Sequence, residues 1–325
     1  MAEMTLVEAI DLALAHEMLK DPDVVLLGED IGKNGGVFRA TVGLMDKFGP
    51  ERVLDTPLAE SMIGGLAVGM AVCGLKPVAE FQFMGFIYPA LNQIINHASR
   101  MRNRTRGRLS CPLVFRAPYG CGIHAPEHHS ESTEAIFAHI PGLRVVMPSS
   151  PLRAYGLLLA AIRDPDPVIF LEPSRLYHFM KQDVSDTGEA LPLDTCFTLR
   201  AGNDVTLISW GAMIKETLAA ASLLEKAGVQ AEVIDVATVK PLDMDTILAS
   251  IEKTGRCVVI HEAVRTGGVG AEILAEIAEK ALMFLKAPPQ RLTGYDTIVP
   301  YARLEKYYVP QPQEIVETVQ RLLEF

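Results

Sequence analysis

Several short stretches in the first half of this chain are apolar nearly throughout: "VVLLG" (24–28), "PVAEF" (77–81), "PLVFRAP" (112–118), "LRVVMP" (143–148) and "PVIFLE" (167–172). They do not alternate polar with apolar, so neither face of such a strand is meant for water. Amphipathic or small-residue helices fall between them. Thr5 and Glu8 form a capping-box pair ahead of a helix to about Lys20. Residues 61–74 have helical period and end in glycine, 88–104 read as a helix, and 151–163 open on a proline. Residues 29–54 read as loop and turn with a short helix near 41–48. Apolar strands alternating with helices predict a mostly parallel sheet covered on both faces, an α/β fold.

The pattern fails between about 178 and 203, where "KQDVSDTGEALPLD" is polar with glycine and proline. A second series then begins, with strands at 204–211, 230–236 and 256–262 and in "PPQRLTGYD". Helices at 213–228, 243–254, 270–285 and 313–324 separate and close them. At 325 residues the chain exceeds what one core usually serves. The expected division is a domain over 1–185, a linker over 186–199 and a smaller domain over 200–325, both parallel-sheet and three-layered. No repeat relates the halves.

Charge narrows the partners. The formal net charge of −10 disfavours nucleic acid and anionic membrane surfaces. The arginine-rich "SRMRNRTRGR" (99–108) reads as a solvated helix end, with cations near the negative pole of the dipole. The 5 cysteines are widely spaced with no CxxC, which suits a reducing compartment. The N-terminal "MAEMTLVEAIDLALAHEMLK" contains acids and does not read as a signal peptide. The longest apolar run, 62–75, is too short to cross a bilayer. The expectation is a cytoplasmic protein.

Ligands in open α/β sheets bind beyond the carboxyl ends of the strands. Glu29 and Asp30 follow the first apolar run, and Gln82 the second. His124, His128 and His129 lie in the loop after the third. Glu60, in "DTPLAES", is a lone carboxylate ahead of the small-residue helix. By position alone it is a helix N-terminal acid favoured by the dipole. No GxxxxGK[ST], no GxGxxG after a strand and no GxSxG occurs. "HAPEHH" does not have the spacing of zinc ligands on a helix. "TGGVGAE" (266–272) reads as a tight turn into a closely packed helix, with anion binding by its amides as the alternative.

The ordered signature adds to this. "GED", "GGVFRATVGL", "FGPERVLDTPLAES" and "GLAVGMAVCGLKPVAEFQF" are followed by "HSES", "PGLRVVMPSSP", "VIDVATVKPLDMDTI" and "GYDTIVPYA". Together they resemble the beta subunits of thiamine-diphosphate-dependent 2-oxo acid dehydrogenases, along essentially the whole chain. The resemblance implies a pyrimidine-binding domain followed by a transketolase C-terminal-like domain, and an α2β2 heterotetramer. It also implies that the alpha subunit holds Mg²⁺ and the diphosphate through a GDG motif, a triplet absent here. The cofactor, thiamine diphosphate, would be shared between the subunits.

Carried over position by position, Glu60 would hydrogen-bond N1′ of the aminopyrimidine and promote its imino form, and burial of the carboxylate would favour sharing that proton. Phe86 would lie against the ring, with Gln82 and Leu58 in the same pocket and Glu29 close by; strand-end solvation of Glu29 and plain core packing of Phe86 are the local alternatives. His129 aligns with the histidine linked to acyl transfer onto a lipoyl group, His128 being its neighbour. "AAIRDPDP" (160–167) resembles a potassium site whose ligands would be Leu113, Ala161, Ile162, Asp164 and Asp166. The local alternative there is a solvated helix-to-strand turn.

The implied activity is decarboxylation of pyruvate or a branched-chain 2-oxo acid, with reductive acylation of the lipoyl domain of a partner acyltransferase. An acetoin dehydrogenase beta subunit shares the same frame. A non-catalytic assembly subunit is the alternative of another class. A self-sufficient transketolase-like enzyme is disfavoured by the missing diphosphate domain.

Overall fold

The apolar runs of the first half lie side by side in the computed structural model, which describes residues 2–325. They form a seven-stranded sheet in the order Val53–Asp55, Val24–Gly28, Lys76–Glu80, Val114–Tyr119, Val168–Pro173, Arg144–Val146, Thr238–Lys240. Every pairing is parallel except the last, where a strand from the second half joins antiparallel. On one face the helices Leu6–Lys20 and Pro151–Arg163 pack together over Leu26, Val78, Val114 and Phe170. The first helix starts where the sequence places it: the Glu8 carboxylate accepts the Thr5 N–H at 2.7 Å, and the Thr5 hydroxyl accepts the Glu8 N–H. The other face is covered by helix Glu60–Val72, the segment that follows it, and the second half of the chain.

That second half forms a five-stranded sheet in the order Gln290–Gly294, Cys257–Val264, Val205–Ser209, Ala231–Asp235, Phe197–Arg200. The last strand is antiparallel, so this sheet is mixed at one edge rather than parallel throughout. A further antiparallel pair, Ala2–Met4 with Gln182–Val184, straps the start of the chain to the end of the first lobe.

The span 88–104 is not one regular α-helix. It runs as a 3₁₀ turn (Tyr88–Ala90), a π-helix (Gln93–Ala98) and a short α-helix (Met101–Arg104). The Ser99 N–H reaches back five residues to the Ile94 carbonyl, and the Ser99 hydroxyl donates to the Ile95 carbonyl, so the wide turn leaves neither carbonyl unsatisfied. The glycine-rich opening of helix Val269–Lys280 resolves toward close packing. A Cβ at Gly268 or Gly270 would come within 2.8 Å of the buried His261 ring.

Candidate functional site

Parallel pairing aligns the carboxyl ends of Val24–Gly28, Lys76–Glu80 and Val114–Tyr119, so the loops that follow them emerge along one edge. Glu29 is the first residue beyond its strand and is 5% exposed. Its Oε1 is buried with no hydrogen-bond partner. Burial, then the nearby charges of Glu60 and Asp30, push its carboxyl up to about 7. The structure therefore brings Glu29 and Glu60 into electrostatic contact.

Glu60 occupies the first turn of its helix, whose N-cap, Ala59, offers no side-chain bond. Among the described residues its carboxylate makes no hydrogen bond and no ion pair, and it is only half-buried within this chain. The burial expected for it from sequence is therefore not supplied by this chain alone. Leu58 is 80% exposed, on the segment leading into the same helix.

Gln82 and Phe86 are half-buried on the loop after Lys76–Glu80, which coils into a 3₁₀ turn at Met84–Phe86. A second 3₁₀ turn, Glu127–His129, packs directly on it. Gly85 makes this approach feasible, because any Cβ there would collide with the His128 carbonyl oxygen. His129 meets Phe83 and Phe86 edge-on, with centroids 4.5 and 5.0 Å apart, and its buried Nδ1 has no partner. His128 is more exposed, tilts over Phe86 at 5.2 Å and lies 4.0 Å from a Glu131 oxygen. His124 points outward, with its Nδ1 2.9 Å from Glu305. Of the three histidines, His129 is the one held half-buried between aromatic rings.

Beneath the edge lies a network that motif reading missed. Arg116, 2% exposed, donates to Glu80 at 2.7 Å and to Glu172 at 2.6 and 3.0 Å. The Tyr177 hydroxyl donates to Glu172 at 2.6 Å. Burial raises the Glu80 carboxyl above its ordinary range despite the guanidinium. The signal was present in the sequence: each of three apolar strands carries one charged residue, in "PVAEF", "PLVFRAP" and "PVIFLE".

The suggested potassium ligands lie at the far end of the same sheet, and their side chains are otherwise engaged. Asp166 accepts from Arg102 Nε at 2.7 Å, and Asp164 pairs with Arg144 Nε at 2.8 Å. The Ala161 and Leu113 carbonyls each accept a backbone N–H, from Asp164 and Val168, and Ala161 and Ile162 are buried in their helix. Arginine therefore already pairs with both carboxylates, which leaves the backbone carbonyls of this turn as the oxygens a cation would use. Among the described residues no group of three or more His, Cys, Asp or Glu side chains is arranged to hold a metal ion.

The chain has two α/β lobes with an acidic, aromatic and imidazole site at the edge of its first sheet, and its family matches place it in the transketolase type. Residues 2–180 match the transketolase pyrimidine binding domain, and residues 195–315 match the transketolase C-terminal domain. A split-gene transketolase solved as an inactive beta4 tetramer superposes with a TM-score of 0.80 over 99% of each chain, at 24% identity, which speaks for the fold alone. The chain is 50% identical over 322 residues to the pyruvate dehydrogenase E1 component subunit beta of Acholeplasma laidlawii, covering 99% of this chain and 98% of that one. It is 47% identical to the subunit of the same name from Bacillus subtilis, over the full length of both. The chain belongs to the family of thiamine-diphosphate-dependent 2-oxo acid dehydrogenase beta subunits that includes these pyruvate dehydrogenase E1 components. The family and fold class expected from sequence are thereby borne out.

Proposed function

We propose that this chain is the beta subunit of a pyruvate-decarboxylating 2-oxo acid dehydrogenase and shares thiamine diphosphate with an alpha subunit. The observation that carries this reading is the unpartnered Glu60 carboxylate, set beside a Glu29 that burial and Glu60 together keep protonatable near neutrality. Two carboxylates so placed suit an aminopyrimidine, which offers both a ring nitrogen to protonate and an exocyclic amine to bind. Glu60 would hold a proton at N1′, Phe86 would cover one face of the ring, and Glu29, Gln82 and Leu58 would complete the pocket. When bound, the cofactor supplies a nucleophilic carbon and an electron sink for loss of CO₂. This chain's part is to bind, to orient, to exclude water and to hold the N1′ proton.

His129 is the candidate for proton donation when the acyl group moves to a lipoyl domain. Its edge-on aromatic neighbours hold the ring, and its Nδ1, without a partner in this chain, is left for a bound group. The outward face of helix Glu60–Val72 favours a partner. Met62 and Leu66 are 41% and 39% exposed, and nothing lies within 4 Å of a Cβ built on Gly69. The alpha subunit would cover Glu60 there and supply the diphosphate and Mg²⁺ ligands. No helix of the described residues is long and apolar enough to cross a membrane.

The relatives' names favour pyruvate over branched-chain 2-oxo acids or acetoin. The test is co-purification with the alpha chain and turnover of pyruvate, 2-oxoisovalerate and acetoin, with Glu60→Gln beside wild type. Pyruvate should be preferred, and Glu60→Gln should lose at least about a hundredfold in kcat. Full activity of Glu60→Gln would remove the proposed role of that residue. Preference for another substrate would replace pyruvate.

A further inference from the structure

The loop that carries His129 begins on a left-handed path. Gly120 and Gly122 have φ of +89° and +101°, and His124, which is not glycine, sits at φ 59°. Glycine takes such angles freely, so the cost falls at His124 and is met by its surroundings. The first lobe binds the stem through the Gly120 N–H to the Glu131 carbonyl and the Ser174 hydroxyl to the Tyr119 carbonyl, and the second lobe adds two further determinants. The Cys121 N–H donates to Glu262 Oε2 at 3.2 Å, from strand Cys257–Val264. The Gly122 N–H donates to Glu305 Oε1, from the short helix Ala302–Glu305. The other Glu305 oxygen lies 2.9 Å from His124 Nδ1, within ion-pair distance though not aligned as a hydrogen bond. Both acids are buried, at 4% and 3% exposure. The glycines are needed for close approach as well as for φ. A Cβ on Gly120 would come 2.8 Å from a Glu262 oxygen, and one on Gly122 would come 2.7 Å from Arg175 Cδ.

Neither Glu262 nor Glu305 belongs to the edge that holds Glu29, Glu60 and Phe86. Each acts instead on the stem of the loop, before the chain turns through Glu127–His129 against Phe86. We infer that Glu305, with Glu262, is a positioning residue for His129: the second lobe sets where the imidazole stands and thereby governs acyl transfer separately from decarboxylation. This rests on the proposed role of His129, and its structural part can be measured without that role.

Two measurements separate the parts. In the isolated full chain, hydrogen exchange is followed at the amides of Gly120, Cys121, Gly122, His129 and Ser130 for wild type, Glu305→Ala and Glu305→Gln. The alanine variant should exchange at least about tenfold faster in this loop, with the strands of the second sheet unchanged. Glutamine keeps an acceptor for the Gly122 N–H and should fall between alanine and wild type, which also covers the case of an alanine variant that folds poorly. In the complex with the alpha subunit, pyruvate oxidation by ferricyanide is compared with reductive acylation of a free lipoyl domain. Glu305→Ala should lower acylation about tenfold or more while changing the ferricyanide rate less than about twofold, because a displaced imidazole misses its geometry.

Unchanged loop exchange in Glu305→Ala overturns the positioning role. So does faster exchange spread evenly over the whole second lobe, since that is general destabilisation. Equal losses in the two half-reactions overturn the selective control of acyl transfer. A loop that loosens as expected in a protein whose His129→Ala variant still acylates at the wild-type rate leaves the positioning intact and removes the role proposed for His129.

Discussion

Glu29 and Glu60 cannot both be ionised without cost, and at the residue scale that cost is measurable. The folded-state value of Glu29 lies at about 7, above the ordinary 4.5. The folded chain therefore holds this proton more tightly than the unfolded chain does. The associated stability is fully present below about pH 4.5 and is lost as the pH rises through 7. Glu29→Gln removes the titration. In the isolated chain it should match wild type near pH 4.5 and exceed it by about 1–2 kcal/mol at pH 8. Urea unfolding at the two pH values reads this directly, and a pH-independent difference would contradict it. Glu60→Gln should move the wild-type midpoint to lower pH, because the charge of Glu60 is one of the causes of the shift. Position marked both carboxylates in the sequence, Glu29 just beyond a strand and Glu60 alone ahead of a small-residue helix, but not their roles. The resemblance supplied the roles, and only the folded chain shows that the two act on each other.

At the element scale, the three strands under the site are joined by charge as well as by their ladder. Glu80 and Arg116 are register partners on adjacent strands, and Glu172 lies on the next strand. Removing the guanidinium strands two buried carboxylates. Arg116→Met should lose about 3–5 kcal/mol. A loss below about 1 kcal/mol in urea unfolding would show that the network is dispensable. The elements legible in sequence were those with a strong period or a continuous apolar run, and each such strand recurs in the structure. Several of the elements that were missed are short edge strands. Val53–Asp55 and Phe197–Arg200 are only partly buried, and Gln182–Val184 is mostly polar. At an edge the ladder to one neighbour decides the conformation, and composition carries little of that information. The break in 88–104 was likewise hidden, because π and α turns bury the same kinds of side chain. Proximity of Phe86 to His129 lay beyond sequence reasoning too, since it depends on two loops from different strands meeting where Gly85 leaves room.

At the scale of the whole molecule, two family domains need not mean two folding units. Apolar side chains of both halves belong to one continuous cluster, in which Phe137, Val145 and Met147 are joined with Ile208, Trp210, Ile234 and Val239. Strand Thr238–Lys240 of the second half completes the first sheet. Asp235, fully buried in the second half, takes a hydrogen bond from Ser149 and lies 3.1 Å from Arg153 Nε, both in the first. The single tryptophan stands at this junction. Trp210 is 2% exposed, its Nε1 donates to Glu134 at 3.3 Å, and its ring stacks on His261 at 5.2 Å. An interface of this kind resembles a core more than the polar contacts usual between mobile domains. The isolated chain should accordingly unfold in one transition, with Trp210 fluorescence and far-UV circular dichroism changing together. Chains truncated to 2–190 or 195–325 should fail to melt cooperatively by far-UV circular dichroism, because each exposes the apolar face that the other covers. Two resolved transitions, with the tryptophan signal moving before the backbone signal, would show that the lobes separate before they unfold. In that case the second lobe could not hold the 120–130 loop rigidly, so this measurement also bears on how His129 is positioned.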